Sequence, residues 1–192
     1  MNSLKSLFAA PTFEDEAKTQ QAYLLNVIVW ALICVPIPFV VYTLLLLPEN
    51  TTRTFLQTGF GEVVNIILLI MLRRGLVRAA SVIQVSTFWL FFTVTAITGN
   101  SVRGEAYLLG YGLVIAIAGM LLGGTGALIF TCLSLAAGSI MVWQEMVGAL
   151  KPILEGSPLT PWMVSLVLFP VGAVLQYLAS HQVQNTLVRA RA

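Results

Sequence analysis

Few residues in this chain carry groups that could do chemistry, and most of them interrupt long apolar stretches. They are five polar side chains and two tryptophans: Asn26, Glu62, Asn65, Gln84 and Gln176, with Trp30 and Trp89. Polar side chains within membrane helices normally face the bundle interior and hydrogen-bond to one another. We therefore expect them to join helices, and together they could also line a pocket for an unknown small ligand.

Glu62 is the carboxylate in this set, and its position allows two interpretations. It lies eleven residues before Arg73, or about 16 Å along a helix. If Arg73 marks the inner interface, Glu62 lies near the bilayer midplane, where a carboxylate is costly and indicates a functional site. Alternatively, Gly59 and Gly61 break the helix, and Glu62 caps a short helix beside water.

Enzyme, metal and nucleic-acid signatures are missing from the sequence. The chain has one histidine, His181, two cysteines within apolar stretches, and no HExxH or GxSxG pattern. The glycine-rich stretch 123–126 lacks the GK[ST] ending of a phosphate-binding loop. No basic patch alternates with aromatic residues, as nucleic-acid binding requires. We therefore expect no catalytic residue, no metal, no cofactor and no nucleic-acid partner.

Composition indicates which elements must position these residues. The chain has 192 residues, of which 58% are hydrophobic and 9% are charged, against about one quarter charged residues in a soluble domain. A membrane-spanning helix needs about 20 apolar residues. We predict an all-α, polytopic membrane protein whose partner is the lipid bilayer, with an arm at 1–21, a six-transmembrane-helix bundle at 22–180 and a helical exit at 181–192. The predicted spans are 22–47, 55–72, 76–98, 106–122, 125–147 and 162–180.

A tight cationic turn sets the direction of the spans. Arg73 and Arg74 separate two apolar runs just before Gly75, and Arg78 follows. Short loops rich in Lys and Arg are retained in the cytoplasm, which predicts that both termini are cytoplasmic. This topology puts seven of the ten cations inside, namely Lys5, Lys18, Arg73, Arg74, Arg78, Arg189 and Arg191, and three outside.

Glycine and proline predict local features of the bundle. A second internal turn is expected at 123–126, and Pro36 and Pro38 are expected to kink the first span. Gly112, Gly119 and Gly123 are expected to allow close helix packing, since the last two form a small-xxx-small pattern.

The helical pattern continues past the last span. His181, Val183 and Leu187 follow Ser180 without a helix-stopping glycine or proline, and the apolar residues have heptad-like spacing. We interpret this exit as a helix that carries a signal into the cytoplasm, with His181 as a polar residue at the membrane interface.

Four motifs resemble a known family: the entry APTFEDEAKTQQAYLLN, the turns RRGLVRAASVI and LLGGTGALIF, and the exit LVRARA. Over nearly the whole chain they resemble the six-helix N-terminal sensor module of bacterial membrane histidine kinases, especially those of Chloroflexi type. The resemblance implies a multi-pass protein of the bacterial cytoplasmic (inner) membrane, working as a homodimer in a two-component system. It also implies a downstream cytoplasmic signalling domain, whereas the chain itself has no kinase region and is not expected to be an enzyme.

Two other functions stay open at this stage. Vitamin-capturing, substrate-binding membrane components of uptake transporters are similar in length, helix count and glycine-rich turns, although the first span here lacks their AxxxA docking face. A structural subunit of a membrane complex is the third alternative.

Overall fold

The computed structural model describes residues 11–34, 36–46 and 51–150, together with ten positions within 158–173. These residues form helices and turns without a strand, which confirms the predicted all-α class. Three helical stretches in this part of the chain are long and apolar enough to cross a membrane: Glu16–Pro38, Val77–Thr98 and Ala106–Met146. They support a membrane protein.

The chain divides into two compact units, residues 1–84 and 85–192. The first unit contains α1 (Glu16–Cys34), α2 (Pro36–Leu46), α3 (Thr51–Arg73) and the start of α4 (Val77–Thr98). The second unit contains the rest of α4, a 3-10 turn (Ser101–Arg103), a π-helix (Ala106–Gly110) and α5 (Tyr111–Met146). A C-terminal helical segment follows, whose nine described positions between 159 and 173 are all helical.

The stretch predicted as the first span, 22–47, is helical in α1 and α2. α1 begins at Glu16, within the predicted arm 1–21, because the Asp15 carboxylate Oδ1 accepts the Ala17 N–H at 2.9 Å and caps the helix. α1 (Glu16–Cys34) and α2 (Pro36–Leu46) lie on either side of residue 35, which is outside the described residues, and Glu16–Pro38 forms one candidate membrane-spanning stretch. The kink expected at Pro36 and Pro38 stays a prediction.

α3 runs without a break from Thr51 to Arg73, through both Gly59 and Gly61. Each glycine costs a helix only about 1 kcal/mol relative to alanine, and the helix is held by the burial of Asn65, Leu68 and Leu72. Glu62 therefore lies inside a helix, and the alternative in which it caps a short helix is wrong.

The predicted turn at Gly75 is confirmed and forms a Schellman motif. The Gly75 N–H donates to the Leu72 carbonyl and the Leu76 N–H to the Met71 carbonyl, both at 3.0 Å. Gly75 has φ +76°, a conformation that glycine adopts without the steric cost of a Cβ atom.

α5 reverses its direction at Gly123, where φ is +75° and ψ is −175°. Tyr107 lies against Gly138, although 31 residues of continuous helix would separate them by about 46 Å. The two halves of α5 therefore form a hairpin. Together with the π-helix before α5, they cover nearly all of the stretches predicted as helices at 106–122 and 125–147, and the turn needs only one non-helical residue, Gly123. Membrane crossing by each half stays a prediction.

Candidate functional site

The predicted polar pocket does not appear as one group of residues. In the first unit, Asn26 and Asn65 are buried on α1 and α3, two helices that contact each other. Glu62 lies one helical turn before Asn65 on α3. Both asparagines are buried on contacting helices, and their expected role in joining helices stays a prediction.

The remaining predicted pocket residues have different surroundings. Gln84 is buried at the end of the first unit, and Trp30 on α1 is half-buried. Trp89 belongs to the second unit, where its indole N–H donates to Ser134 Oγ at 3.2 Å. Gln176 lies outside the described residues, as do His181, Val183 and Leu187 of the predicted signal exit.

A groove of about 440 Å³ lies beside the Gly75 turn. Asp15, Lys18 and Gln21 line one side of it, and the first turn of α4, with Arg78, lines the other. Gln21 Nε2 donates to Ser81 Oγ at 3.2 Å, and the Lys18 ammonium lies 4.5 Å from the centre of the Phe13 ring. Of the predicted topology residues, Arg78 lines the groove, while Arg73 and Arg74 are exposed. Charged side chains line the groove together with apolar residues, and none of the predicted pocket residues lines it.

The centre of the second unit is an aromatic cluster formed by Trp89, Tyr107, Tyr111 and Phe169. Trp89 and Tyr111 are stacked with ring centres 6.1 Å apart and planes 11° apart. Tyr107 meets Tyr111 edge-to-face at 5.3 Å, and Phe169 contacts both tyrosines. Both tyrosines are fully buried, so their hydroxyl groups need partners inside the protein.

The hydroxyl groups of both tyrosines in the cluster have hydrogen-bond partners, and the donor in each bond can be assigned. Thr93 Oγ1 lies 2.7 Å from the Tyr111 hydroxyl and donates to the Trp89 carbonyl at 2.8 Å. Because a threonine hydroxyl carries one proton, Tyr111 must donate to Thr93. By the same reasoning, Tyr107 donates to Ser165 Oγ at 2.7 Å, since Ser165 donates to the Trp162 carbonyl.

Two glycines that were not predicted, Gly138 and Gly110, provide space for close packing in the second unit. A Cβ atom at Gly138 would lie 2.7 Å from Tyr107 Cζ, and one at Gly110 would lie 2.5 Å from Phe92 Cγ. In contrast, no described atom beyond the local helix lies within 4 Å of such an atom at Gly112 or Gly123. Gly119 is buried in α5. Gly123 therefore serves the turn through its positive φ, and Gly138 provides the space for Tyr107.

The sequence analysis missed an ion pair at one end of the second unit. Arg103 Nη2 lies 2.7 Å from Glu145 Oε2, and the Glu145 side chain is only 2% exposed. The signal was present, because the two opposite charges stand 20 residues before and 22 residues after the hairpin turn at Gly123. Antiparallel helices of nearly equal length place such residues near each other.

Comparisons with protein-family models, curated proteins and solved structures found no match. The resemblance to sensor modules of histidine kinases therefore stays a prediction. In the part of the chain that the structure describes, no group of three His, Cys, Asp or Glu side chains is arranged to hold a metal ion.

Proposed function

We propose that this chain is a membrane-embedded sensory input module that detects a small or lipophilic ligand and passes a helix shift to a cytoplasmic signalling domain, such as that of a histidine kinase. The proposal includes six membrane crossings, cytoplasmic termini and a homodimer in the bacterial inner membrane.

The observation that carries the proposal is the attachment of the C-terminal helical segment. Tyr107 donates to Ser165 at 2.7 Å, and Trp162 Nε1 donates to Ser139 Oγ at 3.3 Å. Phe169 adds the ring contacts with both tyrosines. A movement of the Tyr107 helix would therefore act directly on this segment, which leads in sequence to the exit at 181–192.

The C-terminal helical segment is held by a small number of directional contacts, which would allow it to adopt two arrangements. Ligands change a protein's state by binding one arrangement more tightly than the other, and shifts of about 1–2 Å between packed helices are a common form of such switching. Breaking or re-forming the Tyr107 hydrogen bond is a change of that size. The heptad-like exit would carry the shift into a dimer.

The experiment joins residues 1–192 to a reporter kinase and inserts or deletes residues after Ala179. Each inserted residue rotates the following helix by about 100°, so we expect kinase output to vary with insert length and to recover after seven residues. Equal inserts in the arm at 1–21 are the control. Output that ignores the length of inserts after Ala179 would contradict signal transmission by this helix.

Co-purification separates this proposal from the transporter alternative. A sensor module is expected to purify as a dimer, whereas a substrate-binding component of an uptake system would bring an ATPase with it. Cysteine labelling at position 192 tests the topology, since labelling from the outside of intact cells contradicts a cytoplasmic C-terminus.

A further inference from the structure

One end of the second unit contains buried polar atoms that have no described partner. We call the ion-pair end the stretch from Thr95 to Arg103, which includes Ser101, together with Glu145, the partner of Arg103. Glu145 Oε2 faces Arg103, but Oε1 of the same carboxylate accepts no hydrogen bond from the described residues. The hydroxyl oxygens of Ser101 and Thr95 are also buried and lack a described partner. Buried polar atoms without partners are rare in native proteins, and each one calls for an explanation such as strain, a functional role, or a bound water or ion.

Thr95 differs from its neighbours on the same helix. Thr93 and Thr98 each donate to the carbonyl four residues earlier, both at 2.8 Å. Such bonds are the usual way for a helical threonine to satisfy its hydroxyl group. Thr95 makes no such bond, so its hydroxyl stays available inside the unit.

Ser101 is held in an uncommon backbone conformation. Its φ is +55°, in the left-handed region that residues other than glycine seldom adopt, and it is only 1% exposed. The 3-10 turn that it begins contacts α5, and Arg103 at the end of that turn reaches Glu145. Strained residues of this kind concentrate at ligand-binding sites and switches.

We propose that the ion-pair end binds a small uncharged molecule that carries a hydroxyl or primary amide group. An ionised carboxylate oxygen only accepts hydrogen bonds, so the molecule must donate an O–H or N–H to Glu145 Oε1. The hydroxyls of Ser101 and Thr95 can donate or accept, and they complete its hydrogen bonding.

The ligand is uncharged because Arg103 and Glu145 already neutralise each other. A further charge beside this buried pair would be taken out of water without a counter-charge, which is strongly unfavourable. Alcohols, polyols and primary amides meet both conditions, whereas ammonium and carboxylate ligands do not.

The role of this site as the receptor for a signal rests on the proposed sensory function. Binding of a small molecule to the site can be tested independently of that function. The probes are acetamide and glycerol, with methylammonium as the charged comparison. The measurement is backbone hydrogen exchange of residues 99–105 in the full chain in lipid nanodiscs. We expect acetamide or glycerol to slow exchange with a saturable dependence on concentration, and methylammonium to have no saturable effect.

Three variants assign the effect to this site. Thr95→Val and Ser101→Gly remove one hydroxyl each, and glycine suits the positive φ at 101. We expect each to raise the half-saturating probe concentration about tenfold, the usual weight of one buried hydrogen bond. Thr98→Val, whose hydroxyl bonds to its own helix and is exposed, is the matched control and should leave it unchanged.

The outcomes are distinct. A linear effect of the probes, equal binding by the Thr95→Val and Ser101→Gly variants, or saturation by methylammonium alone would overturn the site. If the site binds acetamide but kinase output ignores helix phase, the sensory function fails and the site stands. If output follows helix phase but no probe binds, the site fails and the sensory function stands.

Discussion

Substitution of Gly138 by alanine tests the packing of the second unit most directly. The new Cβ atom would lie 2.7 Å from Tyr107 Cζ, whereas carbon atoms in contact prefer about 3.5–4.0 Å. Tyr107 would therefore have to move by about 1 Å, which is the difference between these distances. Its ring is fully buried and packs against Tyr111 and Phe169.

The expected cost follows from three contributions. Overpacking of a filled interior costs about 1–3 kcal/mol, and loss of the Tyr107 hydrogen bond to Ser165 costs about 1 kcal/mol more. Replacing a helical glycine by alanine returns about 1 kcal/mol. We expect the free energy of unfolding to fall by about 1–3 kcal/mol, the sum of these contributions.

Gly112→Ala is the matched control on the same helix. Nothing described lies within 4 Å of its new Cβ atom, so the helix preference alone should raise stability by about 0.5–1 kcal/mol. The assay is reversible unfolding of the full chain in mixed detergent micelles, followed by circular dichroism. If Gly138→Ala is as stable as Gly112→Ala, Tyr107 does not occupy the space beside Gly138.

Three further predictions concern the ion pair, the first turn and Glu62. Arg103→Met leaves the buried Glu145 carboxylate unpaired and should cost about 3–5 kcal/mol. In a double-mutant cycle Glu145→Leu should recover much of this loss, and additive effects would contradict the pairing. Gly75→Ala forces alanine into a positive φ and should lower the free energy of unfolding by about 1–2 kcal/mol. The same unfolding assay measures this change, and an unchanged unfolding midpoint would contradict the Schellman turn. Glu62→Gln should alter the output of the reporter kinase more than Glu14→Gln in the exposed arm, and equal small changes would remove Glu62 from the candidate site.

The comparison of α3 with α5 shows where sequence reasoning was limited. In α3, two glycines raised the alternative of a broken helix, but their cost is smaller than the gain from burying Leu68 and Leu72, so the helix continues. In α5, a single glycine does reverse the chain, and apolar residues from both sides of Gly123, such as Tyr111 and Met141, share one core cluster. The number of glycines therefore does not predict whether a helix continues, as in α3, or reverses, as in α5. The packing of the residues on either side of the glycines decides between the two.

The sequence by itself determined the helical class, the approximate helix bounds and the turns at Gly75 and Gly123, because helix length, apolar content and glycine conformation are local properties of the chain. The tertiary structure alone decided that Tyr107 fills the space at Gly138 and that Thr95 keeps its hydroxyl available. Each of these depends on which side chains meet across the folded chain. The local sequence around each residue does not specify these contacts, because they form only when the helices pack.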